Sequence, residues 1–188
     1  MRTYVAIIAF LLLLVPVFSG CILDPREKGG PPPPDTPWPS LKEKDNVFPY
    51  LKRTYEGMDY FHYEILLDEA FIFRFGVDDV GGDIPESWDR TKDLASTKNM
   101  LTGFSVPEYG AITNFTLILT PEGPWIEVPK TEPPYEGEIW YQRTVEYTLI
   151  VTTTKDYTLQ GLDLRALFIV RYDDNEEIWR IVQWNDDI

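Results

Sequence analysis

The chain has 188 residues and one cysteine, and 31 acidic against 17 basic side chains give it a formal net charge of −14. That length is room for one domain of ordinary size, and a hydrophobic content of 44%, with six Trp, eleven Tyr and ten Phe, excludes wholesale disorder. A single cysteine excludes an intrachain disulfide framework. The surplus of carboxylates argues against a nucleic-acid partner, because it repels phosphate.

Arg2 precedes an almost unbroken apolar run over residues 5–18. The run is too short to span a bilayer, which takes about 20 residues, and it ends in the small residues Ser19 and Gly20 before Cys21. This is the anatomy of a secretory signal with a cleavable end. The stretch Val17-Phe18-Ser19-Gly20-Cys21 resembles the bacterial lipobox, although Phe18 stands where Leu is commoner. The resemblance implies cleavage between Gly20 and Cys21 and acylation of Cys21, and several acyl chains at one cysteine anchor a protein stably. An ordinary secreted protein with an incidental Cys21, or an uncleaved N-terminal anchor, is the alternative. Ile22, not Asp, follows the cysteine, which in lipoproteins of this kind implies the periplasmic face of the outer membrane in a host that has one.

Residues 25–40 contain seven Pro and two Gly, with no hydrophobic periodicity. Such chain tends to polyproline II at about 3.1 Å per residue and reads as a tether that holds a domain up to about 50 Å from the lipid. A sharper reading makes Pro37-Trp38-Pro39 or the tetraproline a ligand for an aromatic groove. The chain then divides into a signal peptide (residues 1–20), a lipidated cysteine and tether (21–44) and a folded domain (45–188). From Asp45 onward there are 12 basic and 27 acidic residues, a formal charge of −15. A domain so charged is repelled by anionic membrane surfaces and relies on its lipid for attachment.

In the domain, Asp45 or Asn46 can cap a helix in which Val47, Tyr50, Leu51, Thr54, Tyr55 and Met58 fall at helical spacing, with Pro49 in its first turn and Gly57 near its end. Asp59 caps a second short helix through Tyr63, Leu66 and Leu67, which gives way to an aromatic, β-prone run over residues 70–75. Ser87 or Asp89 opens a third helix as far as about Leu101, with Gly103 as its stop signal. Alternation then replaces helical spacing. Strands are expected over residues 111–120, 125–128, 139–153, 157–172 and 177–184, with a break over 120–124 and a loop over 129–137. Helices first and strands afterwards is an α+β pattern.

Three helices followed by a strongly curved antiparallel sheet resembles the nuclear-transport-factor-2-like superfamily, a cone-shaped α+β fold, over residues 45–188. The resemblance rests on Tyr63-Glu64-Ile65-Leu66-Leu67-Asp68-Glu69-Ala70-Phe71-Ile72-Phe73, on Pro85-Glu86-Ser87-Trp88-Asp89-Arg90 and on Trp179-Arg180-Ile181-Val182-Gln183-Trp184. Members range from dehydratases, isomerases and epoxide hydrolases to ligand binders and dimerisation modules, so the fold does not choose a function. Pairing of two copies through the outer sheet face, with Trp140 or Trp184 contributing, is compatible with it.

Enzymes of this shape place acid and base groups inside the cone, so the inward side of each strand matters. Alternation puts Tyr141, Arg143, Val145, Tyr147, Leu149 and Val151 on the core side, and Gln160, Leu162, Leu164, Ala166, Phe168 and Val170 with them. Glu146, Asp163 and Arg165 fall outside. Tyr141, Arg143, Tyr147 and Gln160 are therefore the candidate pocket residues; Arg143 either orients a polar or anionic ligand or pairs with a carboxylate such as Asp68 or Glu69. A single register slip reverses all of these positions. No strand carboxylate faces inward, so no catalytic residue is assigned.

His62, the only histidine, reads as an ordinary helix-face residue. One cysteine and one histidine cannot make a metal site, and residues 173–177 do not match a calcium loop, so that acid-rich turn reads as a solvated hairpin tip. Asn114-Phe115-Thr116 is an accidental glycosylation match on a strand. Phosphate loops and serine elbows are absent, and no cofactor is expected. Two readings follow. One is an envelope lipoprotein whose non-catalytic cone binds a small hydrophobic ligand or a protein partner. The alternative is an envelope enzyme of the ketosteroid-isomerase or dehydratase type, with Arg143, Tyr147 and a helix-borne acid such as Asp68 taking part.

Overall fold

In the computed structural model, which describes residues 37–82, 84–103 and 105–186, two aspartates punctuate the helical half of the chain. Gly20, Cys21 and the tether as far as residue 36 lie outside the described residues. A 3-10 turn (Lys44–Asn46) leads into α1 (Val47–Glu56), which buries Val47, Phe48, Tyr50, Leu51, Thr54 and Tyr55 and closes at Gly57. The Asp59 carboxylate then accepts the His62 backbone N–H at 3.1 Å and opens α2 (Tyr60–Leu66). Asp89 does the same for Lys92, at 2.9 Å, and opens α3 (Arg90–Leu101). Each cap satisfies one of the N–H groups that a helix start leaves without a partner.

Among the described residues seven strands form one sheet: β1 (Leu67–Arg74), β2 (Ser87–Asp89), β3 (Ser105–Val106), β4 (Gly110–Pro129), β5 (Ile139–Thr153), β6 (Thr158–Asp173) and β7 (Ile178–Asp186), in the order β2-β1-β7-β6-β5-β4-β3. The long β4 to β7 meander is antiparallel, as alternation predicts. The expected all-antiparallel sheet is corrected at one pair, because β1 runs parallel to β7. The whole meander separates these two strands, so no hairpin fixes their relative direction. β2 has three residues, too few to carry a period, and it pairs with the end of β1 just before the Asp89 cap.

The expected break over residues 120–124 is also corrected. β4 continues through it, with Thr120, Pro121 and Glu122 opposite Glu146, Val145 and Thr144, and the irregularity is confined to the stretch between Glu122 and Ile126, where Gly123 takes φ +63°. Pro121 is tolerated because β3 covers only the first residues of β4, leaving the rest of β4 an edge on which a missing N–H costs no ladder bond. Further shifts of register interrupt β1/β7, β5/β6 and β6/β7. Bulges of this kind bend a sheet, and the sheet is curved.

The helices cover one face of that sheet, α1 against β4 and α3 against β1. Between them lies the main core, in which Tyr63, Phe71, Phe115, Phe168, Leu51, Leu66 and Ile181 are fully buried. Trp184 belongs to it, 4.6 Å from Phe168 between ring centroids, and so turns away from the outer face. Trp140 packs on the opposite face with Ile169 and Val182, under Tyr135 of the β4–β5 loop. Both tryptophans expected at an outer pairing surface are thus buried within the domain. No helix among the described residues is long and apolar enough to cross a membrane.

Candidate functional site

The core does not fill the cone. A cavity of about 310 Å³ lies between α1, α2 and α3 on one side and β1, β2, β4, β5, β6 and β7 on the other. Its wall is largely aromatic and aliphatic, with Phe73, Phe75, Trp88, Trp184, Met100, Leu117, Leu149 and Leu164. The rings support one another: Phe75 lies 4.9 Å from both Phe73 and Trp88, and Phe73 lies 5.6 Å from Trp184. Such a wall suits a flat or bulky apolar body.

Polar groups meet it at two places. On α3, Asp93, Ser96, Thr97 and Met100 fall three and four residues apart, and all four line the cavity. Asp93 is only 6% exposed, and its Oδ2 accepts the Tyr63 hydroxyl at 2.9 Å. Its other carboxyl oxygen takes no hydrogen bond among the described residues. Tyr55 stands edge-on to Tyr63, 5.8 Å between ring centroids. At the second place, the Tyr147 hydroxyl donates to Asp186 Oδ1. Asp163 and Arg165, both exposed, mark the rim, and Arg165 is held by Glu122 through contacts of 2.7 and 3.2 Å.

Burial dominates the electrostatics. It pushes the Asp93 carboxyl up to about 7, against the hydrogen bond from Tyr63 and the positive charge of Arg90, both of which pull it down. Burial and the neighbouring Asp93 hold the Tyr63 and Tyr55 hydroxyls well above the ordinary phenol range. The phenols therefore remain donors at neutral pH, while Asp93 exchanges its proton there. Three wall residues also carry buried polar atoms with no partner among the described residues: Trp88 Nε1, Trp184 Nε1 and Ser96 Oγ.

Of the four expected pocket residues, Tyr147 lines this cavity and Tyr141, Arg143 and Gln160 do not. The 3-10 turn and the start of α1 close that half of the cone. There Lys44 Nζ sits 3.1 Å from the Tyr141 ring centroid, Arg143 Nη1 lies 3.6 Å from Asp45 Oδ1, and Phe48 stacks on Trp125 at 5.3 Å. Arg143 thus pairs with Asp45 and not with Asp68 or Glu69. Gln160 is exposed for a different reason. Between Tyr147 and Leu149 the β5/β6 register shifts, with Asp163 in the left-handed region at φ +53°, so Leu159 and Gly161 turn inward and Gln160 and Leu162 outward. The same shift brings Asp163, expected outside, to the rim.

Asp68 is corrected as a participant. It is fully buried away from the cavity, paired with Arg171 and accepting the Ala70 backbone N–H at 2.9 Å. His62 is likewise not at the cavity; its Nδ1 lies 2.8 Å from Asp59 Oδ2 and its ring is stacked on Trp38 at 3.7 Å. Arg53 covers Trp38 at 4.4 Å and donates to the Pro37 carbonyl at 2.8 Å, so this end of the tether docks on its own domain. Asp93 is the residue that strand-by-strand reasoning misses. Its signal is a polar set of Asp93, Ser96 and Thr97, three and four residues apart on a helix that also buries Leu94 and Leu101.

No protein-family model matches the chain, and no curated protein matches it. Solved structures do. The chain is similar to a candidate aromatic ring hydroxylase from Novosphingobium aromaticivorans, with a TM-score of 0.51 at 12% identity over 82% of this chain and 92% of the other. It is similar to a conserved protein from Planctomyces limnophilus, with a TM-score of 0.52 at 14% identity over 75% and 89%. These two likenesses show a shared fold and nothing of activity. A nuclear-transport-factor-2-like protein from Cytophaga hutchinsonii matches with a TM-score of 0.41 at 14% identity, over 75% of this chain and 91% of that one.

Proposed function

We propose that this chain is an envelope lipoprotein, anchored through Cys21, whose nuclear-transport-factor-2-like cone holds a small and largely hydrophobic molecule. The observation that carries the ligand-binding part is the cavity of about 310 Å³. A core that served only for stability would be filled, since interiors pack like organic crystals and voids cost stability. An apolar wall with a few convergent polar groups is the usual form of a small-molecule site. The signal-like leader, Cys21 and the proline-rich tether support the anchoring part.

Native mass spectrometry of the full chain, taken from its own cell envelope, tests the binding part. A bound organic molecule is expected, and the Leu149→Trp variant, which fills the cavity, is expected to lack it; a wild-type chain that emerges empty contradicts the reading. Replacing Cys21 by Ser is expected to release the protein from the membrane fraction. Retention at physiological salt contradicts the anchoring. A second reading, chemistry on the bound molecule, is supported by Asp93, a buried carboxyl that exchanges its proton near neutrality beside two donor phenols. In that case Asp93→Asn retains the ligand and stops its turnover.

A further inference from the structure

The charge of the cavity wall is one-sided. Four aspartates line it, Asp79, Asp93, Asp163 and Asp186, and Arg165 is the one basic residue among its described members. Arg165 is already held in a two-point contact with Glu122. The basic group that acts on Asp93 from outside, Arg90, is not part of the wall and donates to the Glu64 carbonyl at 3.0 Å. A carboxylate or phosphate ligand would enter this cavity against like charge, with no second basic residue among the described wall residues to receive it, in surroundings where charges are weakly screened.

Two further features point the other way. The faces and edges of Phe73, Phe75, Trp88, Tyr147 and Trp184 surround the space, and aromatic rings attract cations through their quadrupoles. Asp93, nine-tenths buried at the helical end, has one oxygen taken by Tyr63 and one that no described residue fills. A protonated nitrogen placed there gains a charge-assisted hydrogen bond.

We propose that the cavity selects a hydrophobic amine, a small aromatic or alicyclic body with one cationic nitrogen set against Asp93. This rests on the reading of the cone as a ligand site and adds the chemical class of the ligand.

The test uses three ligands of matched body and different charge: 2-(1-naphthyl)ethylamine, 2-(1-naphthyl)ethanol and 1-naphthylacetate. Each is titrated calorimetrically into the full chain in nonionic micelles at about pH 8, where Asp93 is ionised, with micelles alone as the blank. The amine is expected to bind about tenfold or more tighter than the alcohol, and the acetate more weakly than both. In Asp93→Asn the amine is expected to fall to within about threefold of the alcohol, and far-UV circular dichroism with urea unfolding establishes that the variant is folded. Acetate or alcohol binding as tight as the amine overturns the proposal, as does an amine preference that survives in Asp93→Asn. Alcohol binding without discrimination by charge removes the amine alone and leaves the cone a ligand site. Failure of all three to bind removes both.

Discussion

Replacing Asp93 by Asn should stabilise the protein, and by an amount that depends on pH in a defined way. Burial raises the Asp93 carboxyl from 3.8 to about 7 in the folded chain. Between those values the folded state holds a proton that the unfolded state has released. The contribution of the protonated group is therefore fully present below about pH 4 and is lost as the pH rises through about 7. Three pKa units correspond to about 4 kcal/mol. The amide of Asp93→Asn has no proton to lose, and its oxygen still accepts the Tyr63 hydroxyl. Urea unfolding of the full chain at a series of pH values gives the free energy of both proteins. The advantage of Asp93→Asn over wild type should widen by about 2–3 kcal/mol between pH 5 and 7 and then level off. The phenols of Tyr63 and Tyr55 stay protonated across this window and add no slope of their own. A difference that does not change with pH, or one that shrinks as the pH rises, would refute the placement of Asp93 in a dry wall.

Tyr63→Phe removes the hydrogen bond that holds the Asp93 carboxyl down, so the upper end of the same pH window should move above about 7 in unfolding curves. Arg171→Met leaves Asp68 buried without its cation and should cost about 3–5 kcal/mol of stability by urea unfolding, with naphthylethanol affinity unchanged in calorimetry where the variant stays folded. Trp38→Ala strips the ring held between Arg53 and His62. It should cost about 1–2 kcal/mol, and no loss in unfolding experiments would mean that the tether end contributes nothing to the domain.

Local chemistry made most of the architecture readable. Asp59 and Asp89 announce their helices because a carboxylate at that position meets N–H groups that nothing else can satisfy. Val145, Tyr147 and Val151 face the core as alternation requires, because β5 keeps its two-residue period through them. The failures have physical causes of the same scale. At Asp163 one residue in the left-handed region shifts the register and sends Gln160 to solvent, and no periodicity marks such a bulge in advance. Pro121 read as a break because proline cannot donate to a ladder, yet an edge strand asks for no donor there. The cavity itself was out of reach of pattern reasoning. Which half of the cone stays open depends on how the Lys44–Asn46 turn and Phe48 cover Tyr141, Arg143 and Trp125, a tertiary arrangement that no local signal states. The helix-borne acid expected, Asp68, falls on β1 and is buried away from the cavity, and the acid that lines the cavity is Asp93 on α3.

The central claim is that the cone contains an open, mostly apolar space beside Asp93. Diffraction from crystals of the protein held under xenon pressure tests it most directly, because xenon enters dry cavities of this kind and is seen by its electron count. The account predicts xenon density bounded by Phe73, Trp88, Leu149 and Trp184, close to the Tyr63–Asp93 pair. Density there from the protein's own side chains, with no xenon in the cone, would contradict it.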